Sequence, residues 1–266
     1  MKNGIEQIQA GSYTIDVIVQ GFPGKSETHG YLGWSTVALV RGHGHVVLVD
    51  CGSLGMRRIL IQRLAELGVA PRDVTDLLLT HAHHDHAINW TLFSNARIAL
   101  GAIELDWALK QPWGETSVAE LYINELRTWA TLHTLGDGEE VLPLITALSV
   151  PGHTPGSLAY IINGTDYDVI FVGDSAKNRG ELVSGAVDMT CDLMLSADSI
   201  RRIWDFWCRK PGTVVLPGHD LPMTQINGVT RYVGRREATM IATFGESTAN
   251  MTAFRLTPDD ASGHRK

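Results

Sequence analysis

The sequence predicts an α/β fold. Short apolar runs of strand length, bounded by Gly, Pro and Asp, alternate with longer segments whose apolar residues recur at helical spacing. The chain of 266 residues is long enough for one large αβ domain or two small ones. Side chains able to hold a metal are scattered from residue 81 to residue 219, each at the end of an apolar run, which favours one domain over residues 1–266.

Taken in order, residues 13–20, 35–41 and 45–50 read as strands, the last two joined by Gly42, His43 and Gly44 in a hairpin. Residues 54–68 read as a helix, with Leu60, Ile61, Leu64 and Leu67 on one face and Gly68 as its stop. Residues 76–80 form a buried strand. Residues 103–110 and 118–132 read as helices separated by Pro112, Trp113 and Gly114. Apolar runs at 147–150, 168–172 and 213–216 each lead into a turn, and 197–210 is a further helix closed by Pro211 and Gly212. From about residue 246 the chain is a polar tail, expected to fray or to pack on a partner subunit in a homodimer.

The most informative stretch is His81-Ala82-His83-His84-Asp85-His86, directly after the strand at 76–80. In extended backbone, side chains alternate, so His81, His83 and Asp85 share a face while Ala82 and His84 point away. His86 joins them if the chain turns after Asp85, a residue suited to cap a helix starting near Ala87. Three later turns offer His153, Asp174 and His219, each beside a Gly that allows tight backbone. One tetrahedral zinc takes three or four protein ligands, so five His and two Asp are too many for one ion. Two ions fit: His81, His83 and His153 on one, Asp85, His86 and His219 on the other, Asp174 shared. Spacing alone does not allot ligands to ions. His29, His43, His45, His133 and His264 read as ordinary exposed histidines.

This constellation resembles the metallo-β-lactamase superfamily. Its His-x-His-x-Asp-His signature is complete as His81, His83, Asp85 and His86, and its later His, Asp and His match His153, Asp174 and His219 in order. Its early strand-end Asp matches Asp50, and the match spans roughly residues 35 to 222. The resemblance implies a four-layer αβ/βα sandwich with metals at one edge of two facing sheets. It also implies that Asp50 hydrogen-bonds the ligand loop and orients an imidazole. The cofactors it implies are two Zn²⁺, other divalent transition metals serving as alternatives.

Such a centre lowers the pKa of water from 15.7 to ~7 and favours an oxyanion, so hydrolysis by a hydroxide bridging the metals is the expected chemistry. Asp85 is the expected proton carrier. No Cys occupies a ligand turn, unlike the zinc β-lactamases with Asp and Cys at the second metal. The shared Asp174 is closer to lactonases and glyoxalase II thioesterases. Lactonases of this fold commonly carry Tyr three residues after the bridging Asp. Here that position is Lys177, so the substrate class stays broad: lactone, ester, thioester or cyclic amide. Two other chemistries use similar motifs, a phosphodiesterase and a mononuclear iron sulfur dioxygenase. A non-catalytic binding protein fits less well, because every ligand is intact. Substrate contacts are expected from Lys177 and from an aromatic wall of Phe22, Tyr31 and Trp34 in the loop between the first strands.

Composition agrees with a globular enzyme acting on a small molecule. Hydrophobic residues make up 44% and charged residues 19%, enough to build a core. A net charge of −7 argues against a nucleic-acid partner. The start has no apolar signal core, and the longest apolar stretch, 141–162, is broken by Pro143, Pro151, His153 and Pro155, so no membrane span is expected. Cys51, Cys191 and Cys208 form no CxxC pair and read as reduced thiols in a cytoplasm.

Overall fold

The computed structural model describes residues 6–28, 30–236 and 238–256. β1 (Glu6–Ala10) and β2 (Tyr13–Val19) form a hairpin, and a short ribbon of β3 (Lys25–Ser26) and β4 (Gly30–Tyr31) stands in the loop that follows. A second hairpin of β5 (Val37–Gly42) and β6 (His45–Val49) precedes α1 (Arg57–Glu66), β7 (Asp76–Leu78) and the short α2 (His84–Ala87). β8 (Arg97–Gly101), α3 (Ala102–Ala108), α4 (Glu120–Leu126) and β9 (Leu132–Leu135) complete the first half. The second half runs through β10 (Glu140–Leu142), β11 (Ile145–Ser149), β12 (Leu158–Ile162), β13 (Val169–Gly173), α5 (Arg179–Ser184) and α6 (Leu193–Trp207). It ends with β14 (Val214–Pro217), β15 (Met223–Ile226) and β16 (Val229–Tyr232). A ribbon of β17 (Thr239–Thr243) and β18 (Met251–Arg255) follows.

The strands form two seven-stranded sheets, ordered β1-β2-β5-β6-β7-β8-β9 and β10-β11-β12-β13-β14-β15-β16. Successive residues of the central strands point to opposite faces, and both faces are covered. Val47, Leu78, Tyr160, Phe171 and Leu216 meet between the sheets. Their neighbours Leu48 and Leu77 pack outward with Leu60, Leu64, Trp90 and Leu126. On the other side Ile161, Ile170 and Val215 pack outward with Ile200, Ile203 and Trp207 of α6. The order is therefore helices, sheet, sheet, helices. Burial on both faces is why these strands read as continuous apolar runs rather than as alternating ones.

β6, β7, β8 and β9 run parallel in the first sheet, as do β13 and β14 in the second. β11 pairs antiparallel with β12, itself antiparallel to β13, so β11 points the same way as β13 and β14. Main-chain bonds join the sheets where these strands end. The Leu158 amide donates to the Thr80 carbonyl at 2.9 Å and the Thr36 amide to the Gly218 carbonyl at 2.6 Å.

Several elements differ from the sequence expectation. The helix expected over 118–132 spans only Glu120–Leu126, and Leu132–Leu135 pairs with β8. The branched residues Thr128, Thr131 and Thr134 disfavour helix and suit an edge strand. α6 begins at Leu193, not near 197, because Asp192 caps the amides of Met194 and Leu195 at 2.9 Å. The stretch expected as a polar tail contains β18, paired with β17. Among the described residues no helix is long and apolar enough to cross a membrane.

Candidate metal centre

The carboxyl ends of β6, β7, β11, β13 and β14 carry Asp50, the 81–86 loop, His153, Asp174 and His219 to one edge. Ligand atoms of His81, His83 and His153 all lie within 4.8 Å of one another, as do those of Asp85, His86 and His219. A third group, His81, His86 and Asp174, overlaps both. Asp174 spans the two trios: Oδ2 lies 3.4 Å from His153 Nε2, while Oδ1 lies 3.2 Å from His86 Nε2 and 3.3 Å from His219 Nε2. Asp85 Oδ2 is 3.3 Å from His219 Nε2.

The alternation expected along this loop stops early. α2 starts at His84 rather than near Ala87, with His83 in the capping position and no side-chain cap bond. Asp85 therefore sits in the first helical turn and faces His219 instead of capping free amides. The same turn brings His86 into the cluster and leaves His84 exposed.

Four of the five imidazoles, those of His81, His86, His153 and His219, are oriented by their other nitrogen. His153 Nδ1 lies 3.1 Å from the Met189 carbonyl and His219 Nδ1 3.0 Å from the Trp34 carbonyl. A carbonyl only accepts, so Nδ1 carries the proton in both and Nε2 faces the cluster. His86 Nδ1 lies 2.8 Å from Asp50 Oδ2. The Thr80 hydroxyl donates to Asp50 at 2.9 Å and so accepts from His81 Nδ1 at 3.0 Å, while the Thr80 amide also donates to Asp50 at 2.8 Å. These bonds are the orienting contacts typical of metal-binding histidines.

Electrostatics separate the two trios. Burial, reinforced by the neighbouring imidazoles, holds His81 well below the usual histidine range. It lowers His83 to about 3 and His153 to about 4 despite Asp174. Their lone pairs are therefore available at neutral pH. In the other trio burial works against the charged forms but is outweighed. Asp174 and Asp85 push His219 up to about 9 and His86 well above its ordinary value. The surrounding imidazoles hold both carboxyls well below theirs. His81 Nε2 is buried with no hydrogen-bond partner among the described residues. A buried acceptor left without a donor is costly, and a metal ion would satisfy it. The residues present fit a metal centre.

Gly218 makes the close approach possible. A Cβ there would lie 2.0 Å from Asp174 Oδ1 and 2.8 Å from the Gly173 carbonyl carbon.

Beside the cluster lies a cavity of about 380 Å³ lined by His219, Tyr31, Lys177, Lys25, Glu181 and Asp188 among others. Of the expected aromatic wall, Tyr31 lines it, its ring 6.2 Å from that of His219. Phe22 and Trp34 instead pack on each other at 4.9 Å, and Trp34 lines a different cavity. They do so because their main chains pair across the loop, bringing the rings together. Lys177 is buried, donating to the Asp188 carbonyl at 2.7 Å and pairing with Glu181 at 3.0 Å. His43 is exposed as expected, but His45 and His133 are half-buried beside Asp76 and Glu139, at 2.8 and 3.2 Å. His29 and His264 lie outside the described residues.

Sequence reasoning missed Thr80 and the Met189 and Trp34 carbonyls. Backbone carbonyls leave no trace in residue type, and only the position of Thr80 beside His81 hints at its role. It also missed Glu104, whose carboxylate is buried in the first turn of α3.

The comparisons with known proteins agree with this geometry. The model of the metallo-beta-lactamase superfamily matches residues 31–219. Metallo-beta-lactamase domain-containing protein 1 of Xenopus laevis is 28% identical over 220 residues, covering 82% of this chain and 84% of that protein. An N-acyl homoserine lactonase of Bacillus cereus is 26% identical over 164 residues, 61% of this chain and 62% of that protein. The solved structure of AidC, a dizinc quorum-quenching lactonase, superposes with a TM-score of 0.69 at 16% identity, covering 88% of this chain and 98% of that one. The chain belongs to the metallo-beta-lactamase superfamily and is a metal-dependent hydrolase.

Proposed function

We propose that this protein is a dinuclear zinc hydrolase that opens a lactone, ester, thioester or cyclic amide. The observation that carries the reading is the position of Asp174, one carboxylate oxygen against His153 and the other against His86 and His219. In this reading His81, His83 and His153 hold one ion, Asp85, His86 and His219 the other, and Asp174 serves both. Ions held there would supply hydroxide at neutral pH and would polarise a carbonyl oxygen. The N-acyl homoserine lactonase among the relatives supports a carbonyl substrate.

The chain's own residues provide the rest. Asp85, its side chain 19% exposed, would accept the proton that the hydroxide nucleophile still carries as it attacks and pass it to the leaving group as its bond to the carbonyl carbon breaks. Tyr31 and Lys177 wall the adjoining cavity and position the substrate there. Lys177 is held by Glu181 and Asp188, so its charge is placed before substrate arrives.

A screen of zinc-loaded protein against lactones, thioesters, β-lactams and a chromophoric phosphodiester tests this. Turnover of at least one carbonyl substrate is expected. Hydrolysis of the phosphodiester alone, or thiol-dependent oxygen uptake by iron-loaded protein, would contradict it.

A further inference from the structure

In α3 the usual arrangement of side chains is inverted. Ile103 is 64% exposed, whereas its neighbour Glu104 is 0% exposed. A buried carboxylate is expensive unless donors compensate it. Here three do. Glu104 Oε1 accepts from the Ala82 amide at 2.9 Å, and Oε2 accepts from the Thr154 hydroxyl at 2.7 Å and the Gly156 amide at 3.1 Å.

These donors belong to two separate loops. Ala82 lies between His81 and His83, and Thr154 directly follows His153. One carboxylate thus ties together the backbone segments that supply the whole His81–His83–His153 trio. The fit is tight, because a Cβ on Gly156 would lie 2.0 Å from the Glu104 amide nitrogen. The Thr154 hydroxyl also lies 2.6 Å from Ser157 Oγ, which fixes the turn behind His153.

We infer that Glu104 is a positioning residue that sets the spacing of His81, His83 and His153 and so tunes the affinity of the ion they hold. This rests on the reading that the trio binds a metal. Glu104 touches none of the three imidazoles through a hydrogen bond and acts through backbone. It therefore differs from Asp50, which bonds His86 itself.

The test is a zinc titration of wild-type protein and Glu104→Gln against a chromophoric chelator, with circular dichroism to verify folding. It is run at pH 8, because burial pushes the Glu104 carboxyl up to about 7 and the charged form must dominate. Gln keeps the size but places an amide NH₂ where only acceptors fit, so at least one of the three donors loses its partner. Wild-type protein should take two ions. In the variant one affinity should fall by about 10- to 100-fold, with the other unchanged. Equal affinities in wild type and variant, or an equal loss for both ions, would overturn the inference. If Glu104→Gln does not fold, Thr154→Val decides, since it removes one donor and keeps the carboxylate. A fall of about threefold or more in one affinity supports the clamp, and unchanged affinities refute it. Wild-type protein that takes no ion at the trio would overturn both the inference and the reading beneath it, a failure visible before any variant is made.

Discussion

Asp85 and Asp174 are the same residue type in one cluster, yet their surroundings divide their roles. Asp174 is buried among three imidazoles and shared between the trios. Asp85 contacts only one trio and keeps some access to solvent. A carboxylate with such access can exchange a proton with water and substrate, whereas a fully enclosed one cannot. Replacing Asp85 by Asn keeps size and one oxygen donor but removes most of the basicity. Turnover on the substrate found by the screen should fall by at least ~10², with KM affected less. Measuring kcat, KM and zinc content together checks this. Near wild-type kcat with both ions bound would remove the proton-carrying role.

At this scale the seven side chains of the cluster were legible, because His and Asp at strand ends beside Gly leave a pattern in the sequence. Their orientation was not. It depends on Thr80 and on carbonyls at 34 and 189, brought in by distant parts of the chain. The expected aromatic wall reduced to Tyr31 because residue type does not tell which side of a loop its rings take.

Elements are held according to what they bury. α6 docks on the second sheet through Ile200, Ile203 and Trp207, and Trp207 is 1% exposed with its Nε1 donating to the Thr213 carbonyl at 2.9 Å. Truncating such a residue leaves a large cavity and takes one of two donors from the Thr213 carbonyl, which keeps the Thr224 hydroxyl at 3.1 Å. Trp207→Ala should cost about 3–5 kcal/mol. In contrast, Phe254 on β18 is 43% exposed, and its ring meets Phe244 at 6.4 Å. Phe254→Ala should change stability by about 0.5 kcal/mol or less. Denaturant unfolding of both variants measures the contrast. Similar losses would mean that β17 and β18 carry more of the fold than their burial indicates. Strands covered on both faces were readable as apolar runs, and the two hairpin-forming strands β5 and β6 were found to within a few residues. The end of α4 was not legible, since nothing in the apolar spacing marks the change to β9. Only the branched threonines do.

For the whole molecule, the decisive feature is that two sheets, each covered by helices, meet along the edge where their parallel strands end. The loops there combine residues as far apart as Asp50 and His219, and the packing between the sheets fixes their separation. Seven side chains converging this way exceed what one tetrahedral ion uses. The most direct measurement of this account is the metal content of purified protein, in wild type and in Asp174→Ala. Wild-type protein is predicted to hold two transition ions per chain, zinc above all. Losing the shared carboxylate should lower the occupancy of both sites. A single tightly held iron with no second site under excess zinc, or unchanged metal content in Asp174→Ala, would contradict the dinuclear centre.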